Sequence, residues 1–157
     1  MASKHETVAA AVQTQLAAAT TDVYPPDDVS RVSFFVEGDL ETGKRTRYFL
    51  RPASEDRAIR DSTNTDGKLE MFLLVATRHT PPSEAAGAEE TPTRWQKAAD
   101  MVADVLQKLM SAGGNLSGVA IDTARGHFIV DYERALEGWA LAEIRFVAQY
   151  RYVTAGR

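Results

Sequence analysis

Residues 139–152 read W-A-L-A-E-I-R-F-V-A-Q-Y-R-Y. Taken with period 2, Ala140, Ala142, Ile144, Phe146, Ala148, Tyr150 and Tyr152 share one side, and Trp139, Leu141, Glu143, Arg145, Val147, Gln149 and Arg151 share the other. That alternation predicts one half-buried β-strand. At about 3.3 Å per residue it would span roughly 45 Å, well beyond an ordinary strand. Such a strand is a long edge or central strand of an α+β domain, or bends across two parts of a sheet, or projects and pairs outside its own subunit, as in an assembly protein.

Upstream, Ser3 and Glu6 form a capping-box pattern, followed at helical spacing by Val8, Ala11, Val12 and Leu16, which predicts a helix over 4–20. Pro25 and Pro26 end it. Val32 to Glu37 and Arg45 to Arg51 then alternate partly and read as a hairpin around a Gly38 to Lys44 loop. The second run places Arg45, Arg47 and Arg51 on one face. The polar stretch at about 53–68 reads as an exposed loop, and Leu69 to Thr77 as a nearly continuous apolar strand at the centre of the sheet. A second exposed loop is expected at about 78–93, rich in Pro, Ala and Glu. Thr93 and Gln96 make another capping box, opening a helix over 94–112 with Trp95, Ala99, Val102, Leu106 and Leu109 as its apolar face and Asp104 and Lys108 paired on its solvated side. Short strands are expected at 116–123 and 127–132. The whole reads as a single α+β domain over 1–157: a mostly antiparallel or mixed sheet, two helices packed on one side, and a long C-terminal strand.

At 157 residues the chain is long enough for one sizeable core, and no apolar run approaches the roughly 20 residues needed to cross a bilayer. Without cysteine, disulfides and thiolate metal sites are excluded. The N-terminus lacks the pattern of a secretion signal, so cytosolic synthesis is expected. With 18 Lys and Arg against 22 Asp and Glu, the net charge of -4 argues against a dedicated nucleic-acid binder, which needs cations to neutralise phosphates.

Motifs for chemistry fail on their surroundings. Gly38 to Lys44 matches the first seven P-loop positions, but Arg45 stands where Ser or Thr should hold magnesium, and a strand pattern follows where a helix should. Asn64, Asp66 and Gly67 echo a calcium loop, yet Leu73 occupies the place of the bidentate Glu. His5, His79 and His127 fall in unrelated segments, and no G-x-S-x-G occurs. No catalytic, cofactor or metal residue is assigned. Glu143 and Arg145, on one strand face, read as part of a salt-bridged assembly surface rather than an acid and a clamp.

The order of helix, hairpin, loop, apolar strand, Pro-rich loop, helix, short strands and final W-A-L-A-E-I-R-F-V-A-Q-Y-R-Y strand resembles the tail terminator (tail-completion, or minor tail) proteins of tailed bacteriophages. The resemblance rests on element order and size and covers most of the chain. It implies a non-enzymatic virion subunit, made in the host cytoplasm, that forms a hexameric ring at the head-proximal end of the tail tube. Such a ring stops tube polymerisation and joins the major tail tube protein to the head-completion or connector protein. DNA would pass through it without specific binding; six copies would carry 6 × -4 = -24. Arg45, Arg47, Arg51, Glu143, Arg145 and Arg151 are the candidate interface residues, with Asp27, Asp28, Glu89 and Glu90 as complementary acids on a neighbour. Charge reversal at Arg47 and Arg51 is then expected to weaken the ring without unfolding the subunit. Another neck or tail ring subunit (tail-tube or head-completion), or a non-catalytic α+β ligand-binding module, are the alternative readings.

Overall fold

The computed structural model describes residues 4–18, 22–33, 40, 43–59, 63–79, 93–111, 120–122, 128–130 and 138–153. Helix α1 (Lys4–Ala17) leads through Pro25 and Pro26 to β1 (Asp28–Arg31); β2 (Thr46–Ile59) and β3 (Asn64–Arg78) follow, then helix α2 (Arg94–Ser111), the short strands β4 (Ala120–Asp122) and β5 (Phe128–Val130), and β6 (Trp139–Val153). The strands form one mixed sheet in the order β1-β2-β3-β6-β4, with β5 also on β6. This is the α+β domain expected, with the long C-terminal strand inside it.

β6 is paired within its own sheet along its whole length. Each of its 15 residues is matched by one of β3, from Trp139 opposite Arg78 to Val153 opposite Asn64. Its other edge carries β5 at Ala142 to Ile144 and β4 at Val147 to Gln149, both antiparallel. The long strand is therefore central, and its even-numbered side chains from Ala140 to Tyr150 enter the main core. Odd-numbered residues of β3 from Leu69 to Val75 join them, since directly paired residues on neighbouring strands point to the same face. Both helices cover this face, α1 through Val8, Ala9, Val12 and Leu16, and α2 through Ala98, Met101, Val102, Val105 and Leu109.

Three local expectations are corrected. In the stretch at 53–68 the described residues up to Ile59 and from Asn64 are strand: β2 pairs antiparallel with β3 from Thr46 opposite Thr77 to Ile59 opposite Thr65, with one register shift between Pro52 and Ser54. Its polar residues reflect exposure at the rim of a sheet rather than absence of structure, and Pro52, without an N–H, sits where no outer strand needs one. At 78–93, Arg78 ends β3 and His79 is buried; residues 80–92, with Glu89 and Glu90, lie outside the described residues. The strand described beside β2 is Asp28–Arg31, earlier than expected, and it runs parallel to β2; Val32 and Ser33 of the expected first strand are in no strand. The Asp27 carboxylate accepts the amide N–H groups of Arg45 and Thr46 at 2.8 and 3.0 Å, so the two strands start side by side. Parallel neighbours need a connection of about a dozen residues, and the sequence between Arg31 and Thr46 is long enough for one; Leu40 within it is buried on the far face of the sheet with Phe49, Ala76, Trp139 and Leu141. Residues 34–39, part of the expected first strand, lie outside the described residues, as does Ser3 of the first capping box.

The capping box opening α2 is present in full. The Thr93 N–H donates to Gln96 Oε1 at 2.8 Å, and the Gln96 N–H donates to Thr93 Oγ1 at 3.2 Å. The buried face of α2 is rotated from the one expected. Trp95 is 50% exposed, whereas Asp104 and Lys108, expected on the solvated side, are 4% and 1% exposed. The C-terminal end of α1 and residues 22–24 cover that side of α2.

Candidate functional site

The face of the sheet opposite the helices is closed at one end by Leu40 and its neighbours and, among the described residues, open along the rest. There the rows across β2, β3 and β6 read Arg51, Phe72, Arg145 and, one row over, Phe49, Leu74, Glu143. Phe72 and Leu74 are half-buried. The Arg51 guanidinium lies 4.6 Å from the centre of the Phe72 ring, and that of Arg145 lies 5.8 Å from it. A guanidinium is planar and weakly hydrated, so it rests on an aromatic face while its in-plane donors stay available.

The six candidate interface residues divide into three kinds. Arg47 is 7% exposed, donates to Asp28 Oδ2 at 2.8 Å and lies over the Phe49 ring at 4.7 Å; it belongs to its own subunit's structure rather than to a free surface. Arg145 and Arg151 are held across the sheet by Glu70 at 2.6 Å and Asp66 at 2.7 Å, so Arg145 pairs with β3 and not with Glu143 on its own strand. Arg45 is exposed just before β2, while Arg51 and Glu143 have no oppositely charged partner among the described residues. Asp27 and Asp28, expected to meet a neighbour, are used internally as well. Asp27 is held below the usual carboxylate range by the Thr46 and Arg45 amides, and Asp28 by the Ser30 hydroxyl first and then by Arg47.

On the helix side lies a polar cluster that sequence reasoning missed. Lys108 Nζ donates to the Leu16 carbonyl oxygen at 2.8 Å and forms an ion pair with the buried carboxylate of Asp22. The Asp104 carboxylate accepts the amide N–H groups of Val23 and Tyr24 at 3.3 and 3.0 Å, and Gln15 Nε2 donates to the Lys108 carbonyl at 3.3 Å. Tyr48 is fully buried beside this cluster, and burial first, then the Asp22 and Asp104 charges, push its hydroxyl pKa up. The cluster ties α1, the turn after it and α2 into one body. Only the unusual wealth of charge at Asp22, Asp104 and Lys108 could have signalled it.

Among the described residues, no three His, Cys, Asp or Glu side chains are grouped to hold a metal ion. Asn64, Asp66 and Gly67 are strand residues of β3, and Lys44 leads directly into β2. No described helix is long and apolar enough to cross a membrane. The chain matches no known family model and no curated protein.

Proposed function

We propose that this protein is a structural virion subunit of a tailed bacteriophage, a tail terminator that acts as a hexameric ring at the head-proximal end of the tail tube. The observation that carries this reading is the long three-stranded ribbon of β2, β3 and β6. It is covered by helices on one face, and on the other it carries ordered side chains of both signs. A rigid sheet with charges fixed at known rows is suited to binding other protein surfaces in one register. In this reading the subunit acts without catalysis, its partners are further copies of itself, the major tail tube protein and the head-completion or connector protein, and DNA passes through the ring unbound.

The test is absolute mass by light scattering over a range of protein concentrations, with the main peak imaged by negative stain and the protein added to polymerising tail tubes. Rings about six subunits in mass that halt tube elongation are expected. A protein that stays monomeric and leaves tubes growing overturns the reading.

A further inference from the structure

Arg51 and Glu143 are two charges of opposite sign on the open face that no described ion pair uses; Asp56 and Lys68, opposite one another farther along the ribbon, and Arg78, over Trp139, are others. Arg51, on β2, rests on Phe72, and Glu143, on β6, is exposed opposite Leu74. They cannot serve each other easily: β3 lies between their strands, which puts them roughly 10 Å apart across the sheet alone. They also stand toward opposite edges. Among the described residues β2 has no strand outside it beyond the end of β1 at Arg31, opposite Leu50, and beyond Glu143 lies only the short strand β5.

We infer that Arg51 of one copy pairs with Glu143 of the next, across a side-by-side contact between the β2 edge of one subunit and the β5 side of its neighbour. This rests on the ring reading and adds to it which edges meet. A head-to-tail contact needs two different, complementary surfaces on each subunit, and a positive charge near one edge with a negative charge near the other, on the same face, meets that need. Side chains rather than a backbone ladder make the contact. Pro52 removes a donor from the outer edge of β2, and the register shift between Pro52 and Ser54 interrupts its regular spacing, two devices that oppose strand addition. In the free subunit Phe72 holds the Arg51 guanidinium; in the assembly the guanidinium turns outward to a carboxylate, which it can receive with two parallel hydrogen bonds.

The experiment compares the wild-type protein with R51E, E143R and the double variant R51E/E143R by light scattering across a concentration series. Circular dichroism reports folding, and R51Q and E143Q serve as milder replacements for any charge reversal that does not fold. Each single reversal sets two like charges face to face and is expected to weaken association at least about tenfold, while the double reversal restores the wild-type mass. A wild-type ring that halts tube growth and is indifferent to both single reversals, or is not recovered by the double one, overturns this contact and leaves the ring reading standing. An oligomer that obeys the charge exchange yet does not halt tube growth overturns the terminator reading and keeps the contact. A wild-type protein that is monomeric throughout overturns the contact.

Discussion

Lys108, in the middle of the last turns of α2, caps α1: its ammonium donates to the carbonyl oxygen of Leu16 at 2.8 Å. α1 has no basic residue in its own last turn, so the cation that meets its negative end comes from the other helix. The same ammonium faces the buried carboxylate of Asp22, and the two groups justify each other's burial.

Replacing Lys108 by Met leaves Asp22 as a buried charge without its ammonium and removes the cap from Leu16. A loss of about 3–5 kcal/mol is expected, read by urea unfolding. The variant K108M/D22N should lose less than the sum of the single changes, because the second change removes the charge stranded by the first. A K108M protein as stable as wild type would show that the pair does not hold α1 in place.

This cluster also marks where the sequence stops being readable. Asp104 and Lys108 at i and i+4 look the same whether water or protein covers them; what differs is the chain that folds over them, and a Leu16 carbonyl leaves no trace in a residue pattern. The alternation of residues 139–152 was readable because a half-buried strand must repeat every second residue, and the Thr93 and Gln96 box because its partners are three residues apart. The pairing of β2 with β3 in the stretch at 53–68 was hidden for the opposite reason. At the rim of the sheet little apolar burial is demanded of β2, so its residues Ser54 to Arg57 resemble a loop. The parallel pairing of β1 depends on one side chain, Asp27, holding two amides, which periodicity does not record. The sequence placed Arg47 and Arg51 on one strand but could not separate Arg47, which serves Asp28, from Arg51. Reversing Arg47 would therefore set two carboxylates together and damage the subunit itself.

Gly67 is opposite Tyr150, and the Tyr150 ring lies across it: a Cβ built on Gly67 would come 2.5 Å from Tyr150 Cζ. The aromatic ring takes the space that any other residue would fill. Gly67→Ala is expected to cost about 1–3 kcal/mol, as overpacking forces the ring aside. Thermal unfolding in the Tyr150→Ala background checks the cause, since there the same change should cost little; an equal loss in both backgrounds would place the effect in the backbone instead.

Acid should loosen the junction of β1 and β2 below pH about 4. Asp27 and Asp28 have lowered pKa values in the folded state, Asp27 through the amides of Thr46 and Arg45, Asp28 through Ser30 and then Arg47. A depressed carboxylate contributes stability that is fully present above its unfolded value, about 4, and is lost as pH falls through the lower folded value. D27N/D28N is expected to be less stable than wild type at pH 7 and to lose less on acidification from pH about 4 downward, measured as urea midpoints along a pH series. Parallel slopes for the two proteins would mean that other carboxylates govern acid unfolding.

Tyr48 gives the reverse case, a buried polar group whose removal should help. Its ring fills the core under Lys108, but its hydroxyl is buried without a hydrogen-bond partner among the described residues. An unsatisfied buried hydroxyl costs about 1–3 kcal/mol, so Tyr48→Phe, which keeps the ring, is expected to leave stability at pH 7 unchanged or raise it. The alkaline side separates this from simple tolerance. Burial raises the folded pKa of Tyr48 above its ordinary value of 10.0, so the folded protein favours the neutral form and stability falls as pH rises past that value. In Y48F that part of the alkaline loss disappears, and the smaller part due to Tyr24, which is also pushed up by burial, remains. Unfolding midpoints of the two proteins from pH 8 to about 11 should therefore diverge in favour of Y48F. A Y48F protein that is less stable at pH 7 would mean that the hydroxyl has a partner after all, such as a buried water joining it to Asp22 or Asp104.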